Sequence, residues 1–141
     1  MDRLGRWGLI TTVMALLTVV VAVTPAMLIG GEDAPVAAYI TAGGMGLWTV
    51  AGLGVVTALA AWAIDHGYSD PATAAGVTVG LAAATLVSTL VWALGVTETL
   101  VFSFPASAAW IELHRPVMLT LVAVLTLAAG RLSVLIIGTG R

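Results

Sequence analysis

Residues 70–92 read DPATAAGVTVGLAAATLVSTLVW, from Asp70 to Trp92. Small residues recur there at every fourth position: Ala72, Gly76, Gly80, Ala84 and Ser88. Gly76 and Gly80 form a GxxxG pair inside an apolar segment. On a helix this spacing makes a slowly winding groove without side-chain bulk. Membrane helices associate by close packing rather than by hydrophobic drive, so the groove predicts a surface on which another helix seats. The segment reads as the third of four membrane-crossing helices, and its stripe as the main packing surface.

Composition points the same way. The chain has 141 residues, 60% hydrophobic and 9% charged, with mean hydropathy +1.12. Soluble domains carry roughly 25% charged residues. A chain this poor in charge cannot cover its surface in water, and lipid is its natural solvent. Spans of about 20–25 residues with short connections use nearly the whole length, leaving no room for a soluble domain. The expected fold is therefore all-α: a single four-helix antiparallel membrane bundle with a short interfacial segment between the third and fourth helices.

The expected spans are residues 8–30, 36–64, 71–97 and 116–138. The first follows a short basic start with Arg3 and Arg6. Small residues around Ala22 to Ala26 also suit a cleaved signal peptide, but the apolar run is long for one, and a retained helix is expected. Gly30 and Gly31 suit the end of that helix, and Asp33 and Pro35 the start of the next. The second span is near 30 residues, roughly 43 Å, longer than the hydrocarbon needs. Gly43, Gly44 and Gly46 cluster in its first half, with Gly52 and Gly54 beyond. Close helix contact is the ordinary reading of these glycines; a hinge or unwound stretch is the sharper one. Asp65 to Pro71 is a tight polar turn that makes the second and third helices a hairpin. Residues 99–114 form the interfacial segment, split by Pro105, with a short helix over about 106–114 and a Glu112–Arg115 pair. Pro116 opens the last helix.

Arginine favours the cytoplasmic side of a span. Putting both termini in the cytoplasm places Arg3, Arg6, Arg131 and Arg141 inside and only Arg115 outside. Aromatic residues then fall near the interfaces, with Trp7, Trp62 and Tyr68 at one end and Tyr39, Trp92 and Trp110 at the other. Only Trp48 falls deep within the bilayer.

The ionisable residues supply the candidate polar sites. Arg131 lies within the last span, where a charge is costly; it snorkels to phosphate, pairs with Asp65 or Asp70, or serves a proton or substrate path. Asp65, His66 and Asp70 share one turn, where carboxylates beside an imidazole suit a divalent metal or a proton relay, although such groups are ordinary in solvated turns. Glu98 follows the third helix, and burial beneath Phe102 and Phe104 would raise its pKa and make it a proton acceptor. A b-type haem between His66 and His114 is opposed by their expected placement at opposite ends, roughly 30 Å apart. Rows of threonine, such as Thr78, Thr85 and Thr89, either line a polar path or bond back to their own helices.

Much is excluded. The chain has no cysteine, which removes disulfides, Cys-ligated metals and thiol catalysis. A net charge of -2 removes the basic face that nucleic acid needs. No G-x-S-x-G, H-E-x-x-H or P-loop is present. No cofactor or catalytic residue is expected. The sequence predicts a non-enzymatic assembly subunit whose partners are the bilayer and a second copy or a larger membrane complex. The alternatives are a small channel or carrier for protons, ions or a small solute, and a membrane subunit of a redox complex.

Overall fold

A computed structural model describes residues 2–29 and 34–140. The helix end expected at Gly30 and Gly31, the Asp33 cap and the position of Arg141 lie outside the described residues. Among the described residues there are six α-helices: α1 (Arg3–Ile29), α2 (Ala34–Ile40), α3 (Gly46–Asp65), α4 (Pro71–Gly95), α5 (Glu98–Phe102) and α6 (Ile111–Gly138), with a 3-10 turn at Ala106–Ala108. Four stretches of the described residues are long and apolar enough to cross a membrane: α1, α3, α4, and the run from Ala106 through α6. The fold is the expected all-helical membrane bundle.

Local chemistry sets the helix ends. Asp2 accepts from the Gly5 N–H at 2.8 Å and starts α1. Asp70 accepts from the Thr73 N–H at 2.9 Å, and Pro71 fills the first position of α4. Those two bonds from Thr73, backbone first and hydroxyl second, hold the Asp70 carboxyl below the ordinary carboxylate range. Gly67 turns the chain after α3 with φ 68°, and Tyr68 N–H returns to the Ala63 carbonyl at 3.0 Å.

The long helices run up and down in order, and each packs on two neighbours: α1 on α3, α3 on α4, α4 on α6, and α6 on α1. One end, the hairpin end, holds the α3–α4 turn and both described chain ends. There Leu4 and Trp7 pack against Ile64, Ala74, Ala75, Leu132 and Ile136. The middle layer is Ala15, Ala58, Ala82, Leu125 and Ala129. The other end, the capped end, is closed by α2, α5 and the 3-10 turn, and gathers Val36, Tyr39, Leu47, Trp92, Ile111 and Met118. In the middle and hairpin-end layers α6 supplies much of the bulk, with Leu125, Leu132 and Ile136, whereas at the capped end Tyr39, Leu47 and Trp92 from other helices share it with Ile111 and Met118.

Several expectations are corrected. The second span is not one helix. It breaks over residues 41–45, where Gly43 (φ 67°) and Gly44 (φ 78°) take left-handed backbone, as does Gly46 (φ 69°) at the head of α3. Each reading of the glycine cluster captures part of this. The chain unwinds, and Gly43 also lies directly on the backbone of α4, where an added Cβ would collide with the Val91 carbonyl. The break shortens the excess length, so that α3 keeps 20 residues, about 30 Å. It also moves Trp48 into the first turn of α3, near the capped end rather than mid-bilayer. Residues 111–114 belong to α6, which begins before Pro116 rather than at it. No ion pair joins Glu112 to Arg115 among the described residues; Arg115 donates to the Val96 carbonyl instead.

The stripe on α4 faces the other way from the one expected. Ala72, Gly76, Gly80 and Ala84 are on the outer surface of the bundle, and only Ser88 is buried. Nothing lies within 4 Å of where a Cβ on Gly76 or Gly80 would sit. The face that α4 turns inward carries Ala75, Thr78, Ala82, Thr85, Thr89 and Trp92. Close approach inside the bundle falls to other glycines. A Cβ on Gly54 would stand 2.8 Å from Val19 Cγ2 and 3.3 Å from the Ala15 carbonyl oxygen, and one on Gly95 would strike the amide of Gly43.

The buried threonines form no polar path. Thr11, Thr18, Thr57, Thr78, Thr85 and Thr89 are fully buried. Each hydroxyl donates to the carbonyl four residues back on its own helix, at 2.7–2.8 Å.

Candidate functional site

A helix in hydrocarbon must satisfy its own backbone, and wherever it breaks a carbonyl is left over. At the capped end three breaks come close together. Pro25 has no N–H, so the Val21 carbonyl in α1 loses its helical donor. The end of α2 leaves the Tyr39 carbonyl with only a long 3.4 Å contact from the Ala42 N–H. The end of α4 leaves the Val96 carbonyl outside any helix.

A long-range side-chain donor meets each one. His114 Nε2 lies 2.7 Å from the Val21 carbonyl oxygen. Trp92 Nε1–H donates to the Tyr39 carbonyl at 2.8 Å. Arg115 Nη1 donates to the Val96 carbonyl at 2.9 Å. The network closes through Tyr39, whose hydroxyl lies 2.8 Å from His114 Nδ1. A carbonyl oxygen only accepts, so Nε2 carries the ring hydrogen. In the neutral ring Nδ1 is then the acceptor, and the Tyr39 O–H donates to it. Burial pushes the Tyr39 phenol far above its ordinary value, against a smaller opposing pull from the Arg115 charge, so the hydroxyl keeps its proton.

Aromatic contacts hold this cluster. Tyr39 meets Trp92 edge-on at 5.3 Å between ring centroids, and Phe104 at 5.7 Å. The His114 ring lies 5.7 Å from Trp92 and 6.4 Å from Trp110, both T-shaped. Tyr39 and Trp92 are fully buried and His114 is 4% exposed. Tyr39 and Trp92 lie at the capped end, inside the protein rather than on its surface. Beside them, Glu98, Val101, Phe102, Glu112 and Arg115 line an open recess of about 190 Å³.

The sequence-predicted polar residues lie elsewhere or stand apart. Asp65, His66 and Asp70 are all exposed at the hairpin end. Asp70 is occupied as a helix cap, and His66 Nδ1–H donates to the Trp62 carbonyl at 3.0 Å. Among the described residues no three His, Asp or Glu side chains converge to hold a metal. Arg131 is exposed on the outside of α6 and pairs with neither Asp65 nor Asp70. Glu98 is exposed at the start of α5, so the expected cover from Phe102 and Phe104 is not there. His66 and His114 are at opposite ends, and both His114 nitrogens are already bonded, which leaves no shared haem site within one subunit.

Sequence reading missed His114, Tyr39 and Trp92 as a unit. The available signal was Pro25: a proline in the last turns of a span advertises an orphan carbonyl, and a histidine at the same end is a natural donor to it.

A protein-family model described as "Family of unknown function (DUF7548)" matches residues 1–134. No curated protein and no solved structure matches the chain.

Proposed function

The chain belongs to the DUF7548 family, and we propose for it a non-enzymatic role as a membrane assembly subunit that seats a further helix, from a second copy or a larger complex, on the outer face of α4. One observation carries the reading: bulk is removed at Ala72, Gly76, Gly80 and Ala84, on a face that no helix among the described residues covers. The interior supports it. Met118, Val122, Leu125 and Leu132 are fully buried along α6, and among the described residues every buried side-chain nitrogen or oxygen has a partner. A core so filled favours a scaffold over a conduit through one subunit. Arg3, Arg6 and Arg131 lie toward the hairpin end, which supports both termini facing the cytoplasm of a cell membrane.

The test compares Gly80→Leu with Val134→Leu, which lies on the outer surface of α6. Crosslinking in native membranes, followed by size analysis, is expected to show an assembly lost in Gly80→Leu and kept in Val134→Leu, with both variants retaining the helical bundle. Equal behaviour sinks the reading. A proton or solute flux in vesicles that disappears with Arg131→Leu or Glu98→Gln replaces it with the carrier.

A further inference from the structure

We propose that α2 is a proton-operated cap: neutral His114 holds it down through Tyr39, and a proton on His114 Nδ1 lets it swing away from the bundle. The geometry supplies a latch and a pivot. The latch is the bond from the Tyr39 hydroxyl to Nδ1, at 2.8 Å, with the imidazole itself fixed by its Nε2–H bond to Val21. The pivot is the non-helical passage 41–45, clamped where Gly43 rests on Val91 and Gly95. On one side of it α2 is only 7 residues long, too short to persist as a helix without its packing.

The switch follows from counting donors and acceptors. In the neutral state every polar atom of the pair is matched: Nε2–H to a carbonyl, and the phenol O–H to Nδ1. A proton on Nδ1 turns that acceptor into a donor. The tyrosine oxygen can then accept from it, but the phenol hydrogen must turn elsewhere, inside a site where Tyr39 is fully buried. The next residue, Arg115, adds a like charge. Moving Tyr39 out frees the phenol hydrogen to bond water, admits solvent that weakens the repulsion between the charged ring and Arg115, and exposes the Tyr39 carbonyl, which Trp92 now serves.

The groups around His114 limit what else could titrate. From α2 the ionisable group facing it is Tyr39. Where α1 and α4 meet it they present Val21, Thr24 and Trp92, none of which titrates in this range. The 3-10 turn and its flanks bring Trp110 to the ring, with Phe104 against Tyr39. Glu98 of α5, with Glu112 and Arg115 of α6, lines the adjoining recess.

The absence of cysteine makes the test clean. Spin labels at Ala38→Cys on α2 and Leu94→Cys on α4, both exposed positions, report the cap distance in the full chain in lipid nanodiscs. Between about pH 8 and about pH 5, a second, longer distance is expected to grow about tenfold in population. Adding His114→Gln is expected to keep one short distance at both pH values, because glutamine offers an N–H to Val21 and a carbonyl to Tyr39 without titrating. Adding Glu98→Gln with Glu112→Gln is expected to leave the pH response intact. The proposal is overturned by a single distance at both pH values in the labelled parent. A response that survives His114→Gln, or one that vanishes with the two glutamate changes, also overturns it. Nitrogen NMR of the ring provides a separate arm: at high pH the Nε2–H tautomer is expected, and the Nδ1–H tautomer would overturn the latch.

Discussion

Each end of the bundle carries a tryptophan, a histidine and a tyrosine in contact, and the two trios are built differently. At the capped end Trp92, His114 and Tyr39 come from three helices, are buried, and are tied by hydrogen bonds spanning 53 and 75 residues of sequence. At the hairpin end Trp62, His66 and Tyr68 come from one turn and are exposed. They stack nearly parallel, with Trp62 and His66 at 4.3 Å and Trp62 and Tyr68 at 5.4 Å. Residue type does not separate them. The backbone does: the hairpin-end turn settles its helix ends locally, through Asp70 and Gly67, whereas the capped end leaves carbonyls that only distant side chains can reach. Broken helices therefore gather the long-range polar contacts, and intact ones leave the same residue types as interfacial anchors.

The largest effect that separates the ends is steric. Gly95→Ala drives a methyl group into the amide of Gly43, backbone against backbone, and should cost about 3 kcal/mol or more in detergent unfolding. Gly76→Ala, which meets open space, should stay within about 1 kcal/mol of the parent and lean toward stabilisation. Similar losses for both would mean that α2 is not clamped.

Next come the histidines. His114→Ala leaves the Val21 carbonyl and the Tyr39 hydroxyl buried without their partner, and a loss of about 2–3 kcal/mol is expected. His66→Ala, at an exposed turn, should fall within about 0.5 kcal/mol of zero. The same unfolding assay decides it; equal costs would erase the contrast between the trios. Trp92→Phe keeps most of the packing but removes the donor to the Tyr39 carbonyl, for about 1–2 kcal/mol, with faster amide exchange in α2 than in α4.

The smallest effect lies at the hairpin end and depends on pH. Asp70 has a folded pKa below its unfolded value, so its capping stabilises at neutral pH, and that contribution is lost as pH falls through the folded value. Asp70→Ala should lower the melting temperature slightly at pH 7 and not at all in strong acid. A gap that persists in acid would mean that the cap does not depend on charge.

Much of the architecture was legible from the residues. Four apolar runs, punctuated by Asp70–Pro71 and Gly67, suffice for the helix count and for the hairpin between α3 and α4. The facing of α4 was not legible, for a physical reason. A span in lipid is apolar all round, so hydropathy cannot tell its inner face from its outer one. Gly76 and Gly80 on one side and Thr78, Ala82 and Thr85 on another are both plausible small-residue faces. The break in the second span was half legible: Gly43, Gly44 and Gly46 marked the place, but only the contact of Gly43 with α4 shows that unwinding and close packing occur together. The candidate polar site was the least legible. Asp65, His66 and Asp70 are dense in sequence and so drew attention, whereas Tyr39, Trp92 and His114 meet only once the helices fold.

Pro25 binds two distant positions to a common fate. Replacing it with an ordinary residue would give the Val21 carbonyl a helical donor again, and His114 would then compete for an acceptor already taken. Among related chains, a proline at this place and a hydrogen donor opposite it should be inherited or lost together, leaving a trace of correlated change across most of the polypeptide.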